Sequence, residues 1–173
     1  MDAILDLAKI TIPAVIVLYA VYLIVKSFLN REFDKKVLEL RMKNQETVLP
    51  IRLQAYERMC LFLERISPNN LVLRLNNNNY NVREFQQVLL SEIRQEYNHN
   101  LSQQVYMSDE SWNLTKKAME EVVVVINTAA DTLDGDRSSL ELSKRIFELM
   151  MDKEVDPIVL ALSHMKDEIR QTF

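Results

Sequence analysis

Ile10 to Leu29 reads ITIPAVIVLYAVYLIVKSFL, and no charge interrupts it between Lys9 and Lys26. As a helix, those 16 uncharged residues cover roughly 24 Å at about 1.5 Å of rise per residue. A hydrocarbon core is about 30 Å thick. The difference closes if the stems of Lys9 and Lys26 lie along the apolar zone with their ammonium groups at the two interfaces. Ser27, Phe28 and Leu29 then extend the run. Pro13 falls in the first turns, where a missing N–H costs least. The run is apolar on every face, unlike the single stripe of a core helix. A cleaved signal peptide would carry a basic leader and a small-residue cleavage site. The leader instead carries Asp2 and Asp6, and the run is followed by Lys26-Ser27-Phe28-Leu29-Asn30. The expectation is one N-terminal transmembrane helix within an anchor over residues 1–30.

Cations give that span a direction. Lys26, Arg31, Lys35, Lys36, Arg41 and Lys43 follow it, whereas Lys9 alone precedes it. Positive charge stays on the cytoplasmic side. The expected placement is single-pass in a bacterial inner membrane, N-terminus periplasmic, with the C-terminal domain cytoplasmic. Lys9, Tyr22, Lys26, Arg31, Lys35 and Lys36 are the expected membrane-interface residues, Tyr22 as part of an aromatic belt.

Composition beyond the run favours helices. The chain has one Gly and four Pro, too little turn chemistry for a β-rich fold. Leu, Glu, Arg, Met, Gln and Lys, all helix formers, are abundant. The fold class expected is all-α: the transmembrane helix continuing into a juxtamembrane helix or stalk over 31–49, then a helical bundle over 50–173. Cys60 is the only cysteine, so no disulfide forms within the chain, as suits a reducing compartment. Its apolar surroundings suggest a small buried residue.

From Asn30 the helix is expected to run on. Phe33, Val37, Leu40, Asn44 and Val48 form a narrow seam at 3- and 4-residue steps. A short coiled coil and a helix lying on its own domain both fit, so a homo-oligomer stays open. Pro50 is expected to end or kink this helix, or to begin a new one at its first position. Over 51–66, Leu53, Tyr56, Met59, Cys60 and Leu63 share a face. Glu57-Arg58 and Glu64-Arg65 repeat at a spacing of seven and share a side. They read either as solvated ion pairs or as a pair that sits at a helix–helix contact or, together with Tyr56, binds a partner.

Ser67-Pro68 opens a short helix that stops in Asn76-Asn77-Asn78-Asn79, a polar run that suits a loop. A helix over 82–97 buries Val82, Phe85, Leu89, Ile93 and Tyr97. Residues 98–108 read as the longest irregular connection. Ser108 or Asp109 caps a long helix to about Leu133, with the stripe Trp112, Ala118 or Met119, Val122, Ile126, Ala129 and Leu133. Gly135 suits a left-handed stop. Ser138 with Glu141 reads as a capping box for a helix to about Lys153. Asp156-Pro157 opens the last helix, lined by Ile158, Leu162, Met165, Ile169 and Phe173.

Chemistry-bearing motifs are missing. A chain with one Gly holds no phosphate-cradling loop, and no paired-Cys or His-Glu-x-x-His metal pattern occurs. His99 and His164 are the only histidines. His164 precedes Asp167 and Glu168 and can pair with a carboxylate one turn on; the plain alternative is an exposed helix histidine. No nucleophile and base are seen to converge. The chain is therefore expected not to be an enzyme and to hold no cofactor, metal or small-molecule substrate. Residues 109–173 carry eight cations against fourteen anions, which argues against a nucleic-acid partner. Tyr19, deep in the run, shares a face with Tyr22 and Lys26. Its hydroxyl wants a partner, which makes it a further candidate for a protein contact.

The stretch Val48-Leu49-Pro50-Ile51-Arg52-Leu53-Gln54-Ala55-Tyr56-Glu57-Arg58, followed by Leu61-Phe62-Leu63-Glu64-Arg65-Ile66, resembles an uncharacterised family of membrane-anchored helical proteins from Bacteroidota. Trp112 and the closing Pro157 to Phe173 are consistent with it. The resemblance implies an inner-membrane setting and no established activity, so it lends no site residues. The functional expectation is an accessory or scaffold subunit of a larger inner-membrane complex, binding through the span and residues 30–66. The alternative is a membrane-tethered adaptor that recruits a soluble cytoplasmic protein through acidic distal helices.

Overall fold

The computed structural model describes residues 2–172, with side chains from Val15 to Gln171 apart from Asn44. Its secondary structure is helical: α1 (Asp2–Ile66), α2 (Pro68–Leu75), α3 (Val82–Asn100), a 3-10 helix (Leu101–Tyr106), α4 (Asp109–Asp131), α5 (Ser139–Met151) and α6 (Pro157–Thr172). The all-α expectation holds. The only strand-like pairing among the described residues is an isolated bridge between Asn81 and Ser138.

The transmembrane expectation does not hold. Among the described residues no helix is long and apolar enough to cross a membrane. Lys9 and the run from Ile10 to Ala14 lie outside the described side chains. What remains before the first charge is Val15 to Val25, eleven residues that span about 16 Å as helix, roughly half a hydrocarbon core. Beyond it Lys26, Arg31 and Glu32 follow in quick succession. The single-pass inner-membrane placement is corrected with it, and among the described residues the cation asymmetry has no span to orient.

The chain divides into two compact units, Met1–Leu49 and Pro50–Phe173. The first consists of helix α1 alone. Its large apolar side chains are open: Leu18 is 69% exposed, Ile24 68%, Phe33 69% and Leu40 63%. Pro50 does not end α1, which continues to Ile66. A proline inside a helix costs about 3 kcal/mol. The residues after it offset that cost by packing into the core.

The second unit is built on α4, which packs against α3, α5 and α6. Ala118, Val122, Ile126 and Ala129 of α4 are buried, with Trp112, Met119 and Leu133 partly so. Val122 to Ile126, a strand by propensity, is helix because the stripe runs on at helical period to either side. From α1 the core takes Tyr56, Met59, Phe62, Leu63 and Ile66; from α3, Val82, Phe85, Leu89 and Ile93; from α6, Ile158, Leu162 and Met165. An aromatic chain links three helices. Phe62 of α1 lies 6.1 Å from Tyr97 of α3, which stacks on Trp112 of α4 at 5.8 Å.

Several boundaries differ from expectation. The stretch 98–108 is mostly ordered: α3 runs to Asn100 and a 3-10 helix follows. Gly135 has no positive φ. Its place follows from proximity: a Cβ there would sit 2.8 Å from Arg83 Cδ and 2.9 Å from Arg83 Cγ. Ser138 stands at the N-cap of α5 without a side-chain cap bond; Glu141 N donates to the Ser138 carbonyl at 3.0 Å instead, and the Glu141 carboxylate pairs with Arg137 at 2.7 Å. Ser67 likewise makes no cap bond; its hydroxyl donates back to the Glu64 carbonyl at 2.8 Å. The reciprocal box is at α3, where Asn81 Oδ1 accepts from Glu84 N at 2.9 Å and Asn81 N donates to Glu84 Oε2 at 3.0 Å. Asp156 does cap α6, accepting from Ile158 N at 2.8 Å.

Candidate functional site

The residues singled out in the sequence fall into three settings. In the first unit, Tyr19 is 63% and Tyr22 57% exposed. Their rings stack at 6.5 Å, and Lys26 Nζ lies 5.8 Å from the Tyr22 ring centroid, in cation–π range. Arg31, Lys35 and Lys36 are exposed along the same helix. The interface role expected of these residues rested on the span.

In the second unit, Glu57, Arg58 and Glu64 are exposed. Arg65 reaches α3, pairing with Glu96 at 2.6 Å and lying 3.9 Å from Glu92. Arg74 of α2 binds the same Glu92 at 2.6 Å. Two arginines and two glutamates thus clamp α1 and α2 to α3, beside an open cleft also lined by Gln95 and His99.

Tyr56 lies in the third setting, the core, at 3% exposure. It faces the densest meeting of polar groups in the second unit, which centres on Glu168 of α6. Glu168 Oε2 accepts a hydrogen bond from Ser108 Oγ at 2.8 Å and a short one from Ser111 Oγ. Arg52 Nη2 lies 4.0 Å from Glu168 Oε1, and Arg52 Nε donates to the Tyr106 carbonyl at 3.2 Å. Ser108 is the N-cap of α4, its Oγ accepting from Ser111 N at 3.1 Å. A carboxylate therefore sits against the positive end of the α4 dipole, where negative charge is favoured. Burial pushes the Glu168 carboxyl up, but hydroxyls of Ser111, Tyr56 and Ser108, with His164 one turn away, outweigh it and hold the group below the usual range. The Tyr56 hydroxyl is buried with no hydrogen bond of regular geometry. Burial first and the neighbouring carboxylate second push its phenol up.

The cluster fastens elements more readily than it activates a nucleophile. Both serine hydroxyls donate to the carboxylate itself, whereas a serine nucleophile needs a base that takes its proton, with the acid behind that base. His164 stands beside Glu168 on one helix and is half-buried. Among the described residues no group of three His, Cys, Asp or Glu could hold a metal ion. Cys60 is half-buried, its Sγ 3.9 Å from Met165 Sδ. Burial foremost pushes its thiol up, against the pull of Lys166.

In the sequence Glu168 stands out only as a neighbour of His164, and nothing marks Ser108 and Ser111 as its partners. The cap signal at Ser108 was visible; the reach across more than fifty residues to α6 was not.

Residues 2–172 match a family described as a family of unknown function (DUF7935). The match agrees with the resemblance to an uncharacterised family; a Bacteroidota origin and membrane anchoring are no part of it. No curated protein and no solved structure matches the chain.

Proposed function

We propose, for a chain that belongs to the DUF7935 family of unknown function, that it works by binding other proteins, as a non-enzymatic accessory or scaffold subunit of a larger assembly. The contacts are made by the exposed helix of the first unit and, in the second unit, by Glu57-Arg58 and Glu64-Arg65. One observation carries the reading. Val15, Leu18, Tyr19, Ile24, Phe28, Phe33 and Leu40 are each at least 60% exposed on a single helix. Large apolar side chains left open in this number mark an interaction site. We further take from the resemblance a Bacteroidota origin.

The second reading is an adaptor that recruits a partner through the distal helices. It is favoured by the open acidic residues Asp131, Asp136, Asp152 and Glu154. The two readings separate by substitution in the tagged full chain, isolated from its own cells and weighed by native mass spectrometry. The subunit reading expects stoichiometric partners that leave when Phe33 and Leu40 become Glu. The adaptor reading expects loss when the four acidic residues become Asn or Gln. A particle containing one copy of the chain alone contradicts both.

A further inference from the structure

We infer that the segment Phe33 to Val48 of α1 takes an amphipathic helix whose edges are acidic, in preference to a second copy of this chain; the inference rests on reading α1 as the binding element. Phe33 is 69% exposed, Leu40 63% and Val48 47%, with Val37 between them half-buried on the same face. At about 100° per residue this seam has Lys36 and Lys43 along one edge and Asp34 and Arg41 along the other. None of the three cations is in an ion pair among the described residues; the nearest pairing in sequence begins at Arg52. Beside Arg41 the helix surface forms a shallow apolar hollow lined by Leu38, Met42, Gln45 and Val48.

Edge charges choose the partner of a paired helix. In a parallel pair of copies, Lys36 of each lies against Arg41 of the other, five residues on. In an antiparallel pair, Lys36 meets Lys43 along one edge while Asp34 meets Arg41 along the other, so attraction and repulsion offset. Glu or Asp at the edge positions of a different helix satisfies Lys36, Arg41 and Lys43 together and opposes only Asp34. The seam is short, about two heptads, so the edges weigh heavily beside the core.

The test uses the full chain and two synthetic helices with the same Leu and Val seam, one edged with Glu and the other with Lys, followed by fluorescence anisotropy. The Glu-edged helix is expected to bind about tenfold more tightly at low salt, as several exposed ion pairs together supply. The triple variant Lys36→Glu, Arg41→Glu, Lys43→Glu is expected to reverse the preference. These positions lie outside the second unit's core, so its helix content serves as the folding control. Equal binding of the two helices, binding of neither, or a chain already self-paired through this segment overturns the inference. Any of these leaves the wider role of α1 to the native-mass measurement, so the two readings fail separately.

Discussion

Glu168 of α6 accepts a hydrogen bond from Ser108 Oγ across 2.8 Å, joining residues sixty apart in sequence. The contact ties the last helix to the start of α4 and places a carboxylate where the α4 dipole is positive. Arg52 and Tyr56 of α1 close on the same group. The polar centre of the second unit is thus a fastening between three helices.

That fastening makes stability depend on acid pH. The folded carboxyl of Glu168 titrates below its ordinary value, so the unfolded chain binds the proton more readily. The contribution is therefore complete above the ordinary glutamate range and is lost as pH falls through the lower, folded value. Glu168→Gln should cost about 2 kcal/mol near neutrality, the scale of hydrogen bonds to a charged group. It should also flatten the acid limb of stability against pH. Urea melts at several pH values check both; an unchanged acid limb would remove Glu168 from this role.

Neighbouring residues in α1 should respond in opposite ways. Phe62 is 1% exposed and Leu61 is 55% exposed. Phe62→Ala should cost about 3 to 5 kcal/mol through lost transfer energy and a cavity. Leu61→Ala should change stability by less than about 0.5 kcal/mol. Comparable losses at the two positions would mean that the face of α1 turned to the core is misassigned.

Two helix starts separate a cap from its imitation. Asn81→Ala removes a bond to Glu84 N and should cost about 1 kcal/mol. Ser138→Ala removes no cap bond and should be neutral within about 0.5 kcal/mol. Equal losses in chemical denaturation would show that Ser138 caps after all.

Gly135→Ala should be close to neutral, within about 1 kcal/mol. The backbone there needs no positive φ, and the obstacle is the exposed side chain of Arg83, which can swing into solvent. A loss of several kcal/mol would point to a rigid neighbour.

Local signals in the sequence carried much of the second unit. The stripe Val82, Phe85, Leu89 and Ile93 is buried as its spacing implied, and Ser108 and Asp156 cap where their residue types indicated. What the pattern missed depended on competing contacts, some local and some tertiary. Glu141 satisfies the capping-box rule at Ser138, yet Arg137 takes its carboxylate. Phe62 and Ile66 complete the buried face of α1, which the narrower stripe through Leu53 did not include. The pairing of Ser108 and Ser111 with Glu168 joins distant positions, and no local period encodes it. The run from Ile10 illustrates the opposite failure: its length, hydropathy and flanking cations support a membrane reading, yet among the described residues no helix is long and apolar enough to cross a membrane.

The proposed role stands on the open apolar side chains of α1 being a protein-binding surface. The most direct measurement is native mass spectrometry of the tagged full chain from its own cells, compared with the Phe33→Glu, Leu40→Glu variant. The expected result is a wild-type particle with other proteins in fixed ratio and a variant that has lost them, its helix content unchanged. A wild-type particle of this chain alone, or partners equally retained by the variant, would contradict it.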